Sequence, residues 1–178
     1  LNEEVLKTIH CMREIQKSLK INVPVKENPA KRLAGQMVGR NVIIFGSGFM
    51  APVARRWKCQ INEVADAIAG FEYLPEADHN TLAGICFPEK VLTCSTAVFL
   101  QAQADLPRNQ KRVIETRQIM MLEGISTDLI EAKGESRLEQ MWSTLLFGDY
   151  VSYYLAMAYE TNPTTIAPIT SLKQAMSQ

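Results

Sequence analysis

The stretch NVIIFGSGFMAPVARRWK, running from Asn41 to Lys58, limits the possible folds more than any other part of the chain. Val42, Ile43, Ile44 and Phe45 form an unbroken apolar run that ends on Gly46-Ser47-Gly48, and Pro52 then stands where a helix would begin. A run with no polar side needs cover on both faces, which a strand finds inside a parallel sheet. Proline is tolerated in the first helical turn because the N–H it lacks has no intrahelical partner there. The segment therefore predicts a strand, a glycine-rich turn and a helix from about Ala51 to about Ala69, the opening of an α/β unit.

The pattern repeats downstream. GFEYL reads as a short strand, VLTCSTAVFL as a longer one, QKRVIETRQIMMLEG as a helix stopped by glycine, and ISTDLIEA as another strand. Alternating strands and helices predict an α/β fold, a doubly wound three-layer α/β/α sandwich of flavodoxin-like type with a parallel sheet of about four or five strands. Ser136 to about Glu160 is apolar almost all round, so it predicts a long helix buried against the sheet or a partner. Before the sheet, Leu1–Lys20 carries Val5, Ile9, Met12, Ile15 and Leu19 at helical spacing, and Asn28 with Pro29 marks the start of a short helix ending near Gly35 or Gly39. A last short helix spans about Ile169 to Met176. With 178 residues, 47% of them hydrophobic, the chain can bury one full core. The expected organisation is a lead-in helix and linker over 1–27 and one α/β domain over 28–178.

Charge narrows the partners. Nineteen basic and nineteen acidic residues cancel, which leaves no electrostatic footprint for nucleic acid and no basic amphipathic run for a membrane surface. No apolar stretch approaches the ~20 residues a membrane span needs, and LNEEVLKTIHCMREIQKSLK is charged throughout, unlike a signal peptide. The expected location is the cytoplasm. Cys11, Cys59, Cys86 and Cys94 form no C-x-x-C pair and have no histidine at ligand spacing, so they are expected to be reduced structural thiols, with no metal site. The chain starts at Leu1 rather than methionine and is expected to be a piece of something longer.

Candidate chemistry sits in four places. Gly46, Ser47 and Gly48 follow a strand, where backbone N–H groups favour an anion; equally, such a triplet is a tight turn and no more. It lacks a dinucleotide fingerprint, and no phosphate-binding G-x-x-x-x-G-K-[ST] occurs, so no nucleotide cofactor is indicated. Glu63 lies near the end of a helix, as a surface carboxylate paired with Arg56 or Lys58 or as a base. His79 lies in the Pro/Asp/Asn-rich LPEADHN, as a loop ring bonded to a neighbouring Asp or as an acid. Lys173 near the carboxyl end is a solvated lysine or a charge donor. Aldose–ketose isomerisation needs all three types: a carboxylate to shuttle a proton between adjacent carbons, an acid to open the sugar ring, and a fixed cation that makes a metal unnecessary. His10, on the first amphipathic helix, is expected to be structural, and no G-x-S-x-G elbow supports a hydrolytic triad.

The run ENPAKRLAGQMVGRNVIIFGSGFMAPVARRWKCQINE, followed in order by LPEADHN, GESRLEQMWSTLLFGDYVSYYLA and PITSLK, resembles the carboxy-terminal half of the bifunctional phosphoglucose/phosphomannose isomerases, members of the sugar isomerase (SIS) superfamily. The resemblance extends from about Asn28 to Lys173. It implies an isomerase that interconverts glucose 6-phosphate and mannose 6-phosphate with fructose 6-phosphate, without a cofactor. The Glu of the family's Q-x-N-E motif, its proton-transfer base, falls on Glu63; the ring-opening His of its H-N motif falls on His79; its carboxy-terminal catalytic lysine falls on Lys173, and Gln60 becomes a substrate-contact candidate. The family's histidine serves the partner subunit's site, which implies a homodimer. The Ser/Thr-rich phosphate loop and catalytic arginine of its first SIS domain have no counterpart here, so an N-terminal SIS domain is expected to be missing. Val64 and Asp66 replace a polar residue and a cation usual in the family, which alters local charge. The competing expectation is a non-catalytic SIS module that binds a sugar phosphate or mediates dimerisation.

Overall fold

The apolar run from Asn41 takes the place its composition demands, inside the sheet. In a computed structural model describing residues 3–164 and 167–177, Asn41–Ser47 (β1) pairs in parallel with Ala69–Leu74 (β2) on one side and Ser95–Gln101 (β3) on the other, and β3 pairs in parallel with Ser126–Glu131 (β4). Among the described residues the order is β2-β1-β3-β4. The helices are α1 (Glu3–Leu19), α2 (Pro29–Met37), α3 (Ala51–Val64), the short α4 (Glu89–Thr93), α5 (Pro107–Leu122), α6 (Arg137–Ala158) and α7 (Ala167–Met176). The β1-to-β2 and β3-to-β4 steps run in opposite directions along the sheet, so right-handed crossovers put α3 and α5 on opposite faces. This is the three-layer α/β/α sandwich expected from the alternation of elements.

Strand periodicity divides the core in two. Ile44 and Val98 face one side with Leu19, Met37, Trp57 and Leu155; Phe45 and Phe99 face the other with Val113 and Met120. The rings of Phe45 and Phe99 stack at 4.6 Å between centroids. α6 packs across α1, α2 and α3. Gly148 allows this close approach: a Cβ there would lie 2.3 Å from Trp57 Nε1, and the indole N–H instead donates to Thr144 O at 2.9 Å. Trp142 and Met157 on the outer side of α6 remain exposed.

Caps tie the elements together. Fully buried Asn28 accepts from the N–H groups of Ala30 and Lys31 at 3.1 Å each, starting α2, and its amide donates to Leu19 O at 3.0 Å, closing α1. Tyr154 of α6 also donates to Leu19 O, and Gln16 donates to Tyr150 Oη at 3.1 Å, so α1 lies along α6. Ser136 caps the start of α6, accepting from Glu139 N–H at 3.2 Å through its Oγ, and the Glu139 carboxylate accepts from Glu135 N–H at 3.3 Å.

Three local expectations need correction. α3 ends at Val64 rather than near Ala69, because Asn62 Nδ2 donates to Ala67 O at 2.8 Å and Asp66 takes a left-handed φ of 48°. Val91, Leu92 and Thr93 of the predicted long strand belong to α4 instead, Cys94 caps that helix, and the strand begins only at Ser95. Cys86 and Cys94 are exposed, so packing does not account for them. Cys11 is half-buried, and burial first, then the Glu139 charge, raises its thiol pKa.

Candidate active site

The motif around Glu63 is sorted by hydrogen bonds. On the last turns of α3, Gln60 Nε2 donates to Asp149 Oδ1 on α6 at 2.5 Å, and Asn62 is spent on closing the helix end. Glu63 is left exposed, with no side-chain hydrogen bond or ion pair among the described residues. The pairing with Arg56 or Lys58 that would make it an ordinary surface carboxylate does not form. Two of the motif's polar side chains are therefore engaged within the fold, and Glu63 is the one left without a partner among the described residues. Val64, at the family's polar position, packs against the core, and Asp66 accepts a hydrogen bond from Thr161.

His79 follows a single turn of 3-10 helix, Glu76–Asp78, just beyond β2. It is exposed, and its ring has no partner among the described residues. The neighbouring carboxylate is engaged elsewhere, since Asp78 accepts from Thr116 Oγ1 at 2.8 Å and lies 3.5 Å from Arg112 Nε.

Topology separates these two groups. α3 runs back from the carboxyl ends of the strands, so Glu63 lies at the amino edge of the sheet; His79, after β2, lies at the carboxyl edge. The six residues of β2 alone span about 20 Å. Within one copy the carboxylate and the imidazole cannot act on one sugar. Lys173 is exposed on α7. The chain leading toward that helix is held at the Glu63 edge, where Gly39 N–H donates to Tyr159 Oη at 2.8 Å and Thr161 bonds Asp66. A cleft of about 500 Å³ opens there, lined in part by Arg40, Asp66, Tyr159 and Thr161. His10 is exposed on α1.

The Gly46-Ser47-Gly48 turn sits where the strand order reverses, between the carboxyl ends of β1 and β3. The chain fills that position itself. Asp105, buried on the β3–α5 connection, accepts from Ser47 Oγ at 2.7 Å, from Leu106 N–H at 2.8 Å and from Asn109 Nδ2 at 3.0 Å. Gly48, at φ +49°, lies against the carboxylate, and a Cβ there would fall 2.6 Å from Asp105 Oδ1. Gly46 serves packing, since its Cβ would meet Met50 O at 2.7 Å and Ala54 Cβ at 2.8 Å. A phosphate at this turn would face a carboxylate and meet a serine already in use. Asp105 escaped the sequence reading although ADLP carried a signal, an Asp just before a helix that opens on proline. Ser47→Ala is expected to cost about 1–3 kcal/mol by leaving a buried carboxylate short of a donor, read as a lowered denaturant midpoint; an unchanged midpoint would argue against the Ser47–Asp105 bond as a structural tie.

Residues 26–176 match the family of the bacterial phospho-glucose isomerase C-terminal SIS domain. A bifunctional phosphoglucose/phosphomannose isomerase from Caldicellulosiruptor bescii is 32% identical over 181 residues, covering 100% of this chain and 53% of the relative. One of the same name from Thermoplasma acidophilum is 32% identical over 157 residues, covering 88% of this chain and 48% of the relative. The chain thus spans about half the length of these relatives. In fold it is similar to a glucose-6-phosphate isomerase like protein from Thermus thermophilus, with TM-score 0.80 and 24% identity over 94% of this chain and 56% of that one. The C-terminal domain of glucosamine-fructose-6-phosphate aminotransferase from Francisella tularensis shares the fold at TM-score 0.73 and 13% identity, over 92% of this chain and 46% of that one.

Proposed function

Because the chain belongs to the family of bacterial phospho-glucose isomerase C-terminal SIS domains, we propose that it is the catalytic half of an aldose–ketose isomerase that interconverts glucose 6-phosphate and mannose 6-phosphate with fructose 6-phosphate. The observation that carries this reading is the division of labour on α3, where Gln60 and Asn62 are bound into the fold and Glu63 is left free.

In the first step, protonated His79 gives its proton to the ring oxygen as the C1–O5 bond breaks. The C1 hydroxyl passes its proton back to His79 as its oxygen becomes the aldehyde carbonyl. Glu63 then takes the proton from C2; that electron pair forms the C1–C2 double bond, and the carbonyl pair moves onto O1. Glu63 then returns its proton to C1 while the C2 hydroxyl passes its proton to O1, which leaves the C2 carbonyl of the ketose. Lys173 faces the charge that develops on the enediolate oxygens, where a fixed cation lowers the barrier. Gln60 orients this end of α3 through its bond to Asp149, and its amide oxygen is the substrate-contact candidate.

The opposite placement of Glu63 and His79 supports a homodimer in which each His79 serves the other copy's Glu63. The coverage of about half of each relative supports an N-terminal SIS domain that supplies the phosphate loop, consistent with a Gly46-Ser47-Gly48 turn closed by Asp105. Such an enzyme works in the cytoplasm on free sugar phosphates. The test is formation of fructose 6-phosphate from glucose 6-phosphate and from mannose 6-phosphate, with purified 1–178 beside the product of the complete reading frame that contains it. Activity in the longer product is the expected result. Binding of a sugar phosphate without turnover in either product would leave a non-catalytic SIS module instead.

A further inference from the structure

We propose that Thr116 and Arg112 of α5 are positioning residues for His79, acting by holding Asp78 away from its ring; the inference rests on the reading of His79 as the ring-opening acid. LPEADHN has the composition of a mobile surface segment, yet it is tied to the fold immediately before the histidine. Ala77 is fully buried. Asp78 accepts from the hydroxyl of Thr116 at 2.8 Å, and Thr116 itself is 2% exposed. Arg112 Nε lies 3.5 Å from the other carboxylate oxygen. His79 N–H donates to Glu76 O at 2.9 Å, and Asn80 Nδ2 donates to the Glu76 carboxylate at 3.1 Å.

The arrangement has two chemical consequences. Ordering these residues costs conformational entropy before any substrate arrives, so the backbone that carries the imidazole is already in place when the ring must enter another subunit's site. Asp78 is also the carboxylate nearest to His79 in sequence. With one oxygen on the Thr116 hydroxyl and the other facing Arg112, Asp78 is held toward α5 rather than turned onto the imidazole.

Thr116→Val removes the hydroxyl at almost constant shape, and Thr116→Ser keeps it. In the product of the complete reading frame, Thr116→Val is expected to lower turnover of cyclic glucose 6-phosphate about tenfold. An analogue methylated at its ring-forming hydroxyls, and therefore always open, should lose less than twofold. Thr116→Ser should behave as the parent. The ring ¹H–¹³C signal of His79 in 1–178 gives a reading independent of turnover: it should move or split in Thr116→Val and stay in place in Thr116→Ser. An unmoved signal in Thr116→Val overturns the clamp, and so does failure of Thr116→Ser to restore it. A moved signal with equal losses on both substrates, in Thr116→Val and in His79→Ala alike, overturns instead the ring-opening role of His79.

Discussion

Glu63→Gln, made in the product of the complete reading frame, is expected to lower isomerisation of both sugar phosphates by about 10²- to 10⁴-fold, the range that removal of a positioned general base produces. The amide keeps the size and shape of the carboxylate but cannot take a proton from C2. Because Glu63 is exposed and has no partner among the described residues, the substitution leaves stability within a few tenths of a kcal/mol, so lost activity cannot be blamed on lost fold. Exchange of the C2 hydrogen with deuterated solvent should vanish along with turnover, while KM changes little. Turnover within about threefold of the parent would remove Glu63 from the role of base.

The largest expected loss of stability belongs to Trp57→Ala. Trp57 is 1% exposed, it donates to Thr144 O at 2.9 Å, and its ring lies 5.8 Å from that of Phe147. Truncation empties the space that Gly148 leaves for the indole and removes the ring contact between α3 and Phe147 of α6. The expected cost is about 3–5 kcal/mol, a large share of what holds a domain of this size together. Urea unfolding should show a lower midpoint at a similar slope. A cost below about 1 kcal/mol would mean that α6 closes onto α3 without the indole. If the domain still folds, turnover should fall as well, because Glu63 rides on the helix that Trp57 anchors.

Much of the fold was legible in the chain. The unbroken apolar run at Val42–Phe45, the glycine stop after α5 and the Asn28-Pro29 start of α2 are local signals, and each became the element it announced. The end of α3 was misplaced because Ala65, Ala67 and Ala69 continue a helical composition, whereas a side-chain bond from Asn62 and the left-handed Asp66 stop the helix. The strand start at VLTC was misplaced because β-branched and apolar residues suit a strand in isolation; Pro88 and the approach to the sheet make that piece a helical turn.

Glu63, His79 and Lys173 could be picked out as residues because chemical type and spacing are properties of the chain alone. By the same means the sequence determined the order of strands and helices, the family motif and the neutral overall charge. Tertiary structure decided which of the polar groups are spent and which are free. Ser47 meets Asp105 across 58 positions, Gln60 meets Asp149 across 89, and Thr116 meets Asp78 across 38. No local propensity encodes such pairs, because each forms only after the sheet has assembled and brought its two helical layers into register.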